Sequence, residues 1–121
     1  VPIEVIAESY ETARHKGCAI ACMPVKDSVR EINANGINQA LDRQKLRLIQ
    51  TPQTFRSQII KHSFEIAPHH DFTDDASVAE AAGFQVHLFE GSYQNIKITT
   101  AEDLWITETF LNPQFIPENP E

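Results

Sequence analysis

The sequence predicts a layered α/β fold with a hairpin arm projecting from it, and three observations carry that prediction. Helically spaced segments alternate with short strand-like ones, in the order helix, strand, hairpin, helix, helix, strand, strand, helix. Asn35-Gly36 marks a tight turn inside a stretch with few large apolar residues, so that ribbon has little core of its own. Gly17 and Gly83 each follow a helical segment, where a left-handed cap is needed.

The elements follow in chain order. "PIEVIAESYETARHKG" reads as an amphipathic helix with Pro2 in its first turn and Ile3, Ile6, Ala7, Tyr10 and Ala13 on its apolar face. Arg14, His15 and Lys16 suit its C-terminal dipole. "CAIACM" is a buried strand ended by Pro24. The hairpin occupies about 25–45, with Lys26, Ser28 and Arg30 on one face of its first strand. A ribbon with unpaired edges usually finds a partner. "LRLIQ" begins a strand that Pro52 breaks, and Thr54 caps the helix "FRSQIIKHSFEIA". "PHHDF" is a loop. Thr73 caps the helix "TDDASVAEAAG", with Asp74 and Asp75 in its first turn. "FQVHLFEG" and "NIKIT" are strands. In the second, Ile96 and Ile98 face a core while Asn95, Lys97 and Thr99 face away. Thr99 and Glu102 form a capping box for "AEDLWITETFL". Residues 1–111 make one domain, and 112–121 are a proline-rich tail.

The 121 residues suffice for one small domain, and 41% hydrophobic content fits a globular chain. A net charge of −7 argues against general nucleic-acid binding. No apolar run approaches a membrane span, so no membrane partner is expected. Cys18 and Cys22 read as reduced core residues, which points to a reducing compartment, the cytoplasm for a bacterial chain or a plastid for a plant one. The charge is uneven. Lys26 to Arg56 holds six bases against three acids, a net of +3, which leaves −10 on the remainder. A small anion near that segment, or merely solvated hairpin charges, would fit. The four glycines include no G-x-G pattern, so no phosphate-cradling loop lies in this chain.

Five polar stretches stand in a recognisable order: "PVKDS", "LDR", "QTPQTF", "TDDAS" and "EGSYQNIKIT…EDL". From Val1 to about Leu111 the chain resembles the C-terminal half of the 2-C-methyl-D-erythritol 4-phosphate cytidylyltransferase family. The resemblance implies the C-terminal half of a Rossmann-like nucleotidyltransferase fold. It also implies transfer of a cytidylyl group from CTP to a polyol phosphate, with release of pyrophosphate, in non-mevalonate isoprenoid biosynthesis. Such chemistry needs positioning and cations around phosphate oxygens more than a covalent nucleophile. The family pattern assigns Lys97, in the N-I-K motif, to hold and orient the substrate phosphate. It assigns Arg43, of the D-R motif, to fork onto phosphate oxygens. Ser28, where the family often has threonine, and Thr51 and Thr73 become substrate-binding hydroxyls. For Thr73, N-capping is an alternative, and a helix N-terminus can serve both roles.

The same resemblance implies a homodimer in which the hairpin carries Ser28 and Arg43 into the neighbour's site. The glycine-rich CTP loop and the Mg²⁺-binding aspartate belong to the family's N-terminal half, which this chain lacks. The expectation is therefore a proteolysed, partial or deliberately divided enzyme that is inactive alone. Asp74 and Asp75 are metal ligands or dipole partners of their helix. Asp103 supports Lys97 or caps its own helix. His69, His70 and Asp71 form a metal cluster or a plain loop. Two other readings compete: ribitol 5-phosphate cytidylyltransferase, which shares Q-T-P-Q and N-I-K-I-T, and a non-catalytic dimerisation module.

Overall fold

In a computed structural model, residues 1–67 and 71–112 are described. The order is α1 (Ile3–Lys16), β1 (Cys18–Pro24), β2 (Arg30–Ile32), β3 (Asn38–Ala40), β4 (Arg47–Phe55), α2 (Ser57–Ile66), α3 (Asp75–Ala81), β5 (Leu88–Glu90) and α4 (Ala101–Leu111). A single 3₁₀ turn, Arg43–Lys45, joins β3 to β4. Helices and strands alternate as expected, with differences at nearly every boundary.

The main sheet has the order β4-β1-β5. β1 runs antiparallel to β4 and parallel to β5. Its residues from Cys18 to Met23 are all buried, as an unbroken apolar strand covered on both faces should be. The core gathers around it: Val5 and Ala13 of α1, Ala19 and Ala21 of β1, and Phe89 of β5. Ala76, Val78 and Ala79 of α3 are also buried. Both cysteines are free thiols in this interior.

α1 starts after Pro2 and stops at Gly17, whose φ of 94° is the left-handed cap foreseen. Its buried face is different, however. Val5, Ser9 and Ala13 pack inward, while Ile3, Ile6 and Tyr10 are exposed. Ser9 is a polar residue that can be buried because its bonds are met: its hydroxyl donates to the Ile6 carbonyl and accepts from Thr54 Oγ1. Thr54 thus belongs to β4 and does not cap α2. That helix begins after Arg56, without a side-chain cap.

Pro52 does not end the strand. β4 continues through a cis Thr51–Pro52 peptide to Phe55. The interruption is absorbed as an irregularity in register. Ile20 pairs with Gln53 and Cys22 with Ile49, so Ala21 of β1 faces the whole of Gln50–Pro52. Such bulges turn side chains out of the regular ladder, often beside functional sites.

The hairpin forms a separate two-stranded sheet, with Arg30 opposite Ala40 and Ile32 opposite Asn38. Its strands have three residues each, shorter than the alternation from Val25 implied. All six strand residues are exposed. The turn is built by Asn33, whose side-chain oxygen accepts from the amides of Asn35 and Ile37, and by Gly36 at φ 77°.

Three further expectations are corrected. α3 is capped by Asp74, whose carboxylate accepts from the Ser77 amide; Thr73 lies one residue outside. The α4 capping box is Thr100 with Asp103, one residue later than Thr99 with Glu102. "NIKIT" makes no strand, and "FQVHLFEG" contributes only Leu88–Glu90. Around Lys97 the burial is also reversed: Asn95 is 7% exposed and Ile98 is 51% exposed. A strand needs a hydrogen-bonded neighbour, and among the described residues none lies beside this segment. The tail from 113, and His69 and His70 of the suspected metal cluster, lie outside the described residues.

Candidate functional site

The irregularity in β4 aims Gln50 and Thr51 toward the end of the sheet, where α3 begins and the chain leaves β5. A cleft of about 330 Å³ opens there, lined by Ile49, Gln50, Thr51, Gln53, Thr73, Asp74, Asn95 and Lys97. Three residues singled out from the sequence, Thr51, Thr73 and Lys97, therefore share one cavity.

Its walls are fixed by side-chain amides that sequence reasoning passed over. Gln50 Nε2 donates to the Ser92 carbonyl at 2.8 Å, and its Oε1 accepts from the Ser92 amide at 3.3 Å. A Cβ at neighbouring Gly91 would sit 2.3 Å from Gln50 Oε1, so a side chain there would displace the Gln50 amide. Gln53 Nε2 donates to Asp74 at 3.1 Å, while its Oε1 accepts from the Ala76 amide at 3.0 Å. Buried Asn95 donates to the Thr51 carbonyl. The Q-T-P-Q and N-I-K motifs thus supply struts as well as site groups. The only hint in the sequence was two glutamines flanking a proline.

Burial pushes the Asp74 carboxyl up, but hydrogen bonds from Ser77 and Gln53 outweigh it and hold Asp74 below its ordinary value. Its Oδ1 also accepts from the Ser77 hydroxyl at 2.6 Å. That carboxylate is a committed cap. It takes up the Ser77 amide, and Gln53 takes up the Ala76 amide, two of the α3 amides that were expected to be open to an anion. Among the described residues no cluster of three His, Cys, Asp or Glu could hold a metal ion. Asp74 caps α3, and Asp75 lies in its first turn.

Lys97 is the cleft's one cation, and among the described residues it makes no ion pair. Asp103 does not support it. That carboxylate accepts from the Thr99 and Thr100 amides, both at 2.8 Å, and from the Thr99 hydroxyl at 2.9 Å. These bonds lower the Asp103 pKa from 3.8 to about 2.

Ser28 and Arg43 are not in this cleft. They line a second cavity, of about 460 Å³, at the root of the hairpin, together with Arg30 and Asp42. Asp42 caps the 3₁₀ turn through the Gln44 amide. Arg43 donates to the Lys26 carbonyl through Nη1, which leaves its other N–H groups for an acceptor. The arrangement is two-part: hydroxyls, amides and one ammonium in the cleft, and a hydroxyl with two guanidinium groups on the arm. Both parts suit an anion on a hydroxylated carbon chain.

The chain's fold is that of the Rossmann-like nucleotidyltransferases, as its likeness to solved structures shows. A solved 2-C-methyl-D-erythritol 4-phosphate cytidylyltransferase from Thermus thermophilus superposes with a TM-score of 0.80 at 29% identity, over 91% of this chain and 55% of that one. The family model of 2-C-methyl-D-erythritol 4-phosphate cytidylyltransferase matches residues 1–113, and the chain belongs to that family. Proteins of the same description from Geotalea uraniireducens and Alkaliphilus metalliredigens are 42% and 44% identical, over 92% and 90% of this chain. The chain spans 48% and 46% of those two relatives, about half their length.

Proposed function

We propose that this chain is the polyol-phosphate half of an enzyme that transfers a cytidylyl group from CTP to 2-C-methyl-D-erythritol 4-phosphate. The observation that carries the reading is the meeting of Lys97 with the Thr51 and Thr73 hydroxyls in one cleft. In the reaction a substrate phosphate oxygen bonds to the α-phosphorus of CTP. The bond to the β-phosphate oxygen breaks, and pyrophosphate leaves with the electron pair. Lys97 holds the attacking phosphate and offsets its charge, and the hydroxyls orient the polyol. Arg43 and Ser28, which the cleft excludes, approach a neighbouring subunit's cleft from the arm of a homodimer. CTP and Mg²⁺ bind residues outside this chain, where Mg²⁺ would balance phosphate charge. No helix among the described residues is long and apolar enough to cross a membrane.

The test is pyrophosphate release by the full-length protein, with the methylerythritol and ribitol phosphates compared. Lys97→Ala and Arg43→Ala are each expected to lower the rate about 10²-fold, the cost of one charge-stabilising donor, and Lys45→Ala hardly at all. A mixed dimer of Arg43→Ala with an inactive CTP-site variant recovers one working site if the arm acts across subunits. Preference for ribitol phosphate would reassign the substrate, and no release with either would leave a binding module.

A further inference from the structure

The arm and the Lys97 segment meet outside the cleft. Lys26 Nζ lies 3.6 Å from the centroid of the Tyr93 ring, a cation on an aromatic face. The Tyr93 hydroxyl donates to the Pro24 carbonyl at 3.0 Å, so the ring is tied to the strand that leads into Lys26. The Lys26 carbonyl accepts from Arg43. Lys26 is therefore engaged at both its backbone and its ammonium, and among the described residues no carboxylate pairs with it.

Position along the chain gives this contact its meaning. Ser28 follows Lys26 by two residues. Asn95 and Lys97 follow Tyr93 by two and four, and Asn95 is anchored to Thr51. Contacts thus run from Arg43 through Lys26 to Tyr93, and the chain itself carries the link on from Tyr93 to Asn95 in the wall of the cleft. Neither Lys26 nor Tyr93 lines the cleft itself. We infer that Lys26 and Tyr93 are positioning residues: they brace the arm, with Ser28 and Arg43, against the segment that carries Lys97. Their kinetic role rests on the transferase reading given above.

The test uses the full-length protein. Lys26→Ala and Tyr93→Leu are expected to raise KM for the polyol phosphate about fivefold, the size of one exposed cation–π contact, with KM for CTP unchanged. Lys26→Arg keeps a cation over the ring and restores KM. The double variant loses no more than the worse single one, because both remove the same contact. Additive losses, an equal rise in both KM values, or an arginine variant as poor as alanine would overturn the inference. If the parent releases no pyrophosphate with any polyol phosphate, the transferase reading fails. Amide exchange in that protein then judges the brace alone. Faster exchange at Gln94–Ile98 in Lys26→Ala supports it, and unchanged exchange refutes it.

Discussion

At the scale of single residues, the cleft depends on side-chain amides that hold its walls in place. Gln53 joins β4 to the start of α3 by two hydrogen bonds. Gln53→Ala leaves the Ala76 amide without that acceptor and relaxes Asp74 upward toward its ordinary pKa. It should destabilise the protein by about 1–3 kcal/mol, read from urea unfolding. A loss near zero would mean that water replaces the glutamine. Motif order named Lys97, Thr51 and Thr73, which the structure brings into one cleft. Gln50, Gln53 and Asn95 were not legible in the sequence, since an amide in a strand or loop looks like solvated surface until its partner, 21 to 44 residues away, is seen.

At the scale of elements, local chemistry was read well and pairing poorly. The Asn-Gly turn and the Gly17 cap need no distant partner, and both were found. The strand at "NIKIT" needs a neighbour, and alternation alone cannot supply one. The caps of α3 and α4 each fell one residue late, because two hydroxyl or carboxylate residues stood side by side and either could have served. The α4 cap has a consequence in acid. Asp103 is held at about 2, below its ordinary 3.8, so its bonds stabilise the helix start fully above pH 4. That contribution is lost as pH falls through about 2. A carbon-13 titration of the Asp103 carboxyl should show a midpoint near 2. A midpoint near 4 would mean that the cap is not formed in solution.

At the scale of the whole molecule, much apolar surface is open. Ile3 is 79% exposed, and on α4 Trp105 and Leu111 are 70% and 77% exposed. Patches of this kind mark contact surfaces. Of the apolar face read into α1 from sequence, Ala13 is buried, while Ile3, Ile6 and Tyr10 stay open among the described residues. Since the curated relatives are about twice as long, the complementary half is the expected cover. Trp105, the chain's one tryptophan, reports on this directly. Its emission should shift to the blue when that half is added, and an unmoved spectrum would place α4 outside the interface. The sheet, for its part, is closed at one end by a side chain. β4 and β5 are separated by β1, yet Gln50 on β4 engages both backbone groups of Ser92, just past β5. Its amide acts as a peptide unit would, one donor and one acceptor facing their complements, and so stands in for a rung that no strand provides. Glutamate has the same shape but no donor. Replacing that one nitrogen by oxygen would set two acceptors face to face and open the seam between the outer strands.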